Sequence, residues 1–147
     1  MESLTLWNKS ENIYGLAYSL SLFMTPDKVT IQAELENKQT ISVLFDRLSL
    51  TGSKVWSAIY TSELYRGDLT EKIQLCKRSF ETKDSSFPLI YLMENSNFIK
   101  RFDEYGYPSS EDVKDLKHFV FVSENDIVEV LSEYDPKVSV IDKKECF

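Results

Sequence analysis

The residues that could do chemistry are few: one histidine, His118, two cysteines, Cys76 and Cys146, and four glycines in a chain of 147 residues. Histidine-based activation of a nucleophile would have to run through His118, with a serine or cysteine brought near by the fold. No Gly-x-Ser-x-Gly elbow accompanies it. Its place beside Phe119 and Phe121 in a strand-like run fits a hydrogen-bonded structural imidazole. The two cysteines show neither Cys-x-x-Cys spacing nor a nearby histidine, which gives no zinc site and no disulfide framework and implies reduced thiols. Gly52-Ser53-Lys54 lacks the upstream glycine of a phosphate loop, and its lysine follows the serine. Counted from Asp103, the twelfth position is Lys114, where a Ca²⁺ loop needs a bidentate glutamate. Carboxylate pairs for glycoside hydrolysis could be drawn from many acids, but spacing along the chain does not report their separation. The expectation is a protein without catalytic residues, metal or cofactor.

Charge is the more informative signal. Seventeen Lys and Arg stand against 24 Asp and Glu, for a net charge of −7. Such a field repels phosphate backbones and anionic lipid, so neither nucleic acid nor a membrane is an expected partner. The excess is concentrated. From Asp103 to Asp135 there are ten acids and two bases, Lys114 and Lys117. The most apolar stretch, Ile13 to Met24, has no positive leader before it and is too short to span a bilayer, which points to a cytoplasmic protein.

Length and composition suit one domain, able to bury roughly two-thirds of the surface its unfolded chain exposes. Residues 13–24 alternate with a period of two, as do Val29 to Glu36, where Val29, Ile31, Ala33 and Leu35 share a face. Thr25-Pro26-Asp27 and Asn37-Lys38 supply turns, and Thr40 to Leu50 a third run, so an antiparallel meander is predicted. Residues 54–65 fit either a helix ending at Gly67 or a strand. Asp68-x-x-Glu71 resembles a capping box before Leu69, Ile73, Cys76 and Phe80 at helical spacing. Thr82 to Ser86 reads as a loop, Phe87 to Met93 as a buried strand, and Phe98, Ile99, Phe102 and Tyr105 as one face of a helix closed by Gly106 and Pro108. Lys117 to Val122 is strand-like. Ser123-x-x-Asp126 then approximates a second capping box, Ile127, Val130, Leu131 and Tyr134 predict an amphipathic helix, and Val138 to Ile141 a final strand. The predicted fold class is α+β: an antiparallel sheet meander with helices packed on one face and a C-terminal strand-helix-strand unit.

On that last predicted helix, Glu129 and Glu133 are like charges four apart, and Glu133 and Asp135 lie toward the negative end of its dipole. Each arrangement is unfavourable by roughly 0.2–1 kcal/mol. A solvated face explains the acids as solubility; a docking surface explains them as steering toward a basic partner. The candidate partner-binding residues are Asp103, Glu104, Glu111, Asp112, Asp115, Glu124, Asp126, Glu129 and Glu133. Tyr105 and Tyr107, either side of Gly106, are candidate anchors if exposed, with core or helix-end packing as the other reading. Two further readings remain: a small-ligand domain or enzyme with an aromatic-lined pocket and His118 as a polar contact, and an adaptor or dimerising subunit.

The segment KHFVFVSENDIVEVLSEYDPKVSVI, from Lys117 to Ile141, together with the small size and acidic balance, resembles the immunity proteins of bacterial contact-dependent growth inhibition and related polymorphic toxin systems. The resemblance covers 25 residues. It implies a cytosolic inhibitor that binds the C-terminal toxin domain of a neighbouring gene product, often a basic nuclease, and blocks its active site or substrate surface. It carries no site residues of its own.

Overall fold

A computed structural model describes residues 1–7, 16–79 and 89–142. Parts of the predicted elements, namely residues 13–15, Phe80, Thr82 to Ser86, Phe87 and Pro88, fall outside the described residues, as does Cys146. The fold is α+β, with two fully antiparallel sheets. Strands β2 (Ala17–Met24), β3 (Val29–Leu35) and β4 (Gln39–Phe45) form the meander, and β9 (Lys137–Asp142) adds to β4. The first reversal is fastened by Thr25, whose hydroxyl accepts the Lys28 N–H at 3.3 Å. In the second, the Asn37 side chain accepts the Gln39 N–H at 3.0 Å while Lys38 takes a left-handed φ of 67°. Both are turn residues acting through their own side chains.

The larger sheet has the order β1-β6-β7-β8-β5. Its strands are β1 (Ser3–Leu6), β5 (Ser57–Ser62), β6 (Ile90–Glu94), β7 (Lys117–Val122) and β8 (Asp126–Ser132). Residues 54–65 therefore contain a strand followed by one 3-10 turn, Glu63–Tyr65, and Gly67 opens a helix instead of ending one. The sheets pack through Ile31, Val43, Phe45, Ile90, Phe119, Phe121, Val128 and Val130, all buried. Phe45 meets Phe119 edge-on with centroids 5.6 Å apart. Because side chains alternate along a strand, putting Phe119 and Phe121 into this core sends His118 and Val120 to the opposite face.

That opposite face carries both helices. Leu69 and Cys76 of α1 (Gly67–Ser79) pack with Leu4, Tyr91, Met93, Val120 and Ile127. In α2 (Asn97–Asp103), Phe98 sets its ring edge-on to His118 at 5.3 Å. The helices do lie on one face, but of the five-stranded sheet and not of the predicted meander, which instead covers that sheet's other face.

The C-terminal strand-helix-strand unit is corrected. The predicted helix from Ile127 to Tyr134 is the strand β8, in which all seven residues are buried. A strand covered on both faces reads as a continuous apolar run, so matches at i, i+3 and i+4 occur without a helix. The supposed capping box closes a hairpin: the Ser123 hydroxyl accepts the Asp126 N–H at 2.9 Å, and the Ser123 N–H donates to the Asp126 carbonyl at 3.0 Å. With no helix there, the dipole and i,i+4 penalties assigned to Glu129 and Glu133 do not arise.

Candidate functional site

A chain of buried polar groups lies under the helices. Ser96, at the start of α2, accepts the Ile99 N–H at 3.1 Å, the N-cap bond that a serine before a helix makes. Its Oγ also lies 2.7 Å from His118 Nδ1. The other ring nitrogen, Nε2, is 3.0 Å from Glu129 Oε1, and Glu129 Oε2 accepts from Arg66 Nη1. Arg66 Nε donates in turn to Asp68 Oδ1 at 3.1 Å. His118 and Glu129 sit on adjacent strands and Ser96 and Arg66 beside the two helices, so this relay fastens both helices to the sheet. Among the described residues no buried side-chain nitrogen or oxygen is left without a partner, the condition under which such a network rigidifies a fold.

Serine, imidazole and carboxylate in contact invite comparison with a nucleophilic triad, but here the serine is a helix cap. Ser96 is 5% exposed, its oxygen is engaged as a helix cap, and it does not line the adjoining cavity. Its Oγ is turned inward, toward the helix N–H of Ile99 and the ring of His118. The cavity, about 320 Å³, has Thr61, Arg66, Asn97, Arg101, His118 and Glu129 among its lining residues. Most of its charged groups face one another.

Burial alone would raise the Glu129 carboxyl, but the hydrogen bonds and charges of His118 and Arg66 outweigh it and hold the group below its ordinary value. The bond to Arg66 lowers Asp68 likewise. A depressed folded-state value means that the unfolded chain takes up protons first as pH drops. The stability these carboxylates contribute is therefore complete above about 4.5, the ordinary value for Glu129, and disappears as pH falls through the lower folded values. Urea midpoints should fall as pH drops below 4.5, and this acid slope should shrink in Glu129→Gln. An unchanged slope in the variant would show that the relay does not carry the acid response.

The proposed partner-facing acids separate into two sets. Asp126 and Glu129 are 7% and 4% exposed and point into the molecule. Asp126 accepts the Leu20 N–H of β2 at 3.0 Å and the Tyr60 hydroxyl, lacing the sheets together, and its hydrogen bond raises the Tyr60 hydroxyl above the ordinary tyrosine value. Neither Asp126 nor Glu129 can meet a partner directly. Their partners, Leu20 and Arg66, lie 106 and 63 residues away in the chain, a distance at which no sequence pattern announces them. Asp103 is half-buried and accepts the Ser110 N–H at 2.6 Å. Glu133 Oε2 accepts the Leu50 N–H at 2.9 Å and Trp56 Nε1–H at 2.8 Å. The exposed acids are Glu104, Glu111, Asp112, Asp115 and Glu124, and Glu124 stands apart on the β7–β8 turn.

Tyr105 and Tyr107 are each 74% exposed. With Trp56, Phe102 and Pro108 they wall a cleft of about 170 Å³. A neighbouring depression of about 360 Å³ is lined by Leu50, Asp112, Lys114, Asp115, Glu133 and Tyr134. The bond from Trp56 to Glu133 joins the two. The segment bearing the tyrosines is braced at both ends: Asp103 holds Ser110, and Ser109 and Asp112 form a reciprocal capping box. Gly106, at φ +102°, makes the turn between the tyrosines, a conformation that side chains resist.

Comparison with protein-family models, curated proteins and solved structures returns no match. Among the described residues no helix is long and apolar enough to cross a membrane. Function has to be read from the sites themselves.

Proposed function

We propose that this protein is a cytoplasmic immunity-type inhibitor that binds a basic toxin domain through the surface around Tyr105 and Tyr107. The observation that supports this most directly is the exposure of both tyrosines on a braced segment, with the exposed Glu104 and Glu111 a few residues from them in the chain. Large aromatics with low conformational entropy make good anchors, and a braced loop loses little freedom on binding. Surrounding carboxylates steer a cationic partner and disfavour other acidic proteins. The overall charge of −7 acts in the same sense. The relay beneath serves to hold the scaffold.

The small-ligand reading has less support, because Glu129, His118 and Arg66, which line the 320 Å³ cavity, are engaged with one another. The test of the inhibitor reading is whether a gene next to this one encodes a large secreted protein, and co-expression of this chain with that protein's C-terminal fragment. Growth should be arrested by the fragment and restored by this chain in a one-to-one complex. Failure to restore growth with any neighbouring fragment, with no complex recovered, would reject it.

Electrostatics give a separate prediction. Glu104, Glu111 and Asp115 are exposed, and their carboxylates are not part of the bracing described above. Reversing all three to Lys should lower the association rate about tenfold at low salt, with the difference vanishing near 1 M, where screening acts over about 3 Å. Stopped-flow rates that do not differ at low salt would remove the steering role. Reversing Glu129 would instead test folding.

A further inference from the structure

We propose that β5 is a pairing edge at which two copies of this chain join into one continuous sheet. This pairing goes beyond the inhibitor reading and does not depend on it. A sheet edge offers unpaired N–H and C=O groups to any strand it meets, and proteins guard against this with short strands, bulges or charges. Among the described residues the edges are β1 and β5 of the larger sheet and β2 and β9 of the smaller. Strand β1 is four residues long, β2 has a register shift between Ala17 and Ser19, and β9 carries Lys137 and Asp142. By contrast β5 has six residues, no charge and no proline, and its register on β8 is unbroken from Ser57 to Ser62. Ile59 and Tyr60 are exposed on it, and Leu64 and Tyr65, 84% and 82% exposed, follow it directly. On a protein of net charge −7, this neutral and partly apolar edge is the one left open.

The register fixes which backbone groups are offered. Glu63 N–H donates to the Asn125 carbonyl at 2.9 Å, while on the other side of β8 the Ser123 N–H donates to the Asp126 carbonyl. Bonds alternate along an antiparallel strand, so β8 serves β5 through Ile127, Glu129 and Leu131, which face Thr61, Ile59 and Ser57. The N–H and C=O groups of Ala58, Tyr60 and Ser62 therefore point away from the sheet. A second copy meets them about a two-fold axis through Tyr60, perpendicular to the sheet. Tyr60 then faces its counterpart, Ala58 faces Ser62 of the second copy, and each outward N–H finds an outward carbonyl. Ile59 faces Thr61 of the second copy, a pair of β-branched side chains, and no like charges are opposed. A strand from a basic partner would be matched by acids on this edge, and β5 has none. A copy of the same neutral strand matches it.

One strand pair buries less than the roughly 1,200–2,000 Å² of a stable interface, so the dimer should be weak, with a Kd on the order of 100 μM. The experiment is sedimentation velocity of the full chain from about 10 μM to about 1 mM, with amide hydrogen exchange at both ends of that range. The mass should rise from monomer to dimer. Protection of the Ala58, Tyr60 and Ser62 amides should rise about fourfold as the monomer fraction drops, while the Ile59 and Thr61 amides, bonded to β8, keep the same protection throughout. Ser62→Pro is the variant to compare. Ser62 has φ −64°, the angle a proline ring imposes, and its N–H points outward, so the monomer accommodates the ring. The variant should keep the parent's urea midpoint and raise the Kd at least about tenfold, because a ring carbon replaces a donated N–H. A purely monomeric species at about 1 mM, a dimer in which those amides gain no protection, or undiminished dimerisation of a folded Ser62→Pro would overturn the pairing. If the variant unfolds, the alternation of amide protection in the parent protein decides by itself.

Discussion

Glu129→Ala is expected to reduce the free energy of unfolding by about 3–5 kcal/mol, the loss typical when one member of a buried, hydrogen-bonded ion pair is removed. Glu129 is 4% exposed and accepts from His118 on one oxygen and from Arg66 on the other. Its removal strands an imidazole nitrogen beneath Phe98 and leaves Arg66 with Asp68 alone. Desolvated donors without acceptors are the costly outcome. Glu129→Gln keeps an acceptor and nearly the same volume and should lose less, about 1–3 kcal/mol. Urea titration gives the measurement: a lower midpoint at unchanged slope marks a loss of stability without a change in the unfolded chain. Against a total of about 5–15 kcal/mol for an ordinary domain, the alanine variant should be marginal. A loss under about 1 kcal/mol would mean that the relay does not brace the helices.

Tyr105→Ala/Tyr107→Ala carries the second large effect, and it falls on binding. Each ring should contribute about 2 kcal/mol or more to association, close to a thirtyfold change in Kd apiece, because central aromatic anchors dominate interfaces of this kind. Stability should move by no more than about 0.5 kcal/mol per substitution, since both side chains are three-quarters exposed. The pairing of a large binding loss with an intact urea midpoint separates an interface from a structural role. Binding within a factor of two or so of the parent protein would place the interface elsewhere.

The parts of the fold that were legible in the chain are those with one wet face. In β3, Val29, Ile31, Ala33 and Leu35 are buried while Thr30, Gln32 and Glu34 are not, so the alternation is visible and correct. The helix faces of Leu69 and Cys76, and of Phe98 and Phe102, were legible for the same reason. In β8 the signal fails because both faces are covered, and Glu129 is placed among apolar neighbours by partners from β7 and from the approach to α1. Local sequence cannot distinguish a buried carboxylate with remote partners from one in water. Ser96 had a readable signal, a serine just before the apolar run that opens α2, whereas Arg66 had none. Tyr105 and Tyr107 were legible as anchor candidates from the glycine between them; their cleft depends on Trp56, about fifty residues earlier.

The pairing of distant strands has a consequence for biosynthesis. Leu4 lies opposite Met93, Ile59 opposite Glu129, and Ile41 opposite Val140. Neither sheet can close around its interior until nearly all of these partners have left the ribosome. Topologies dominated by such remote pairs mature in milliseconds to seconds rather than microseconds. A nascent chain of this protein therefore emerges with β4 and β5 unmatched until β9 and β8 follow them out.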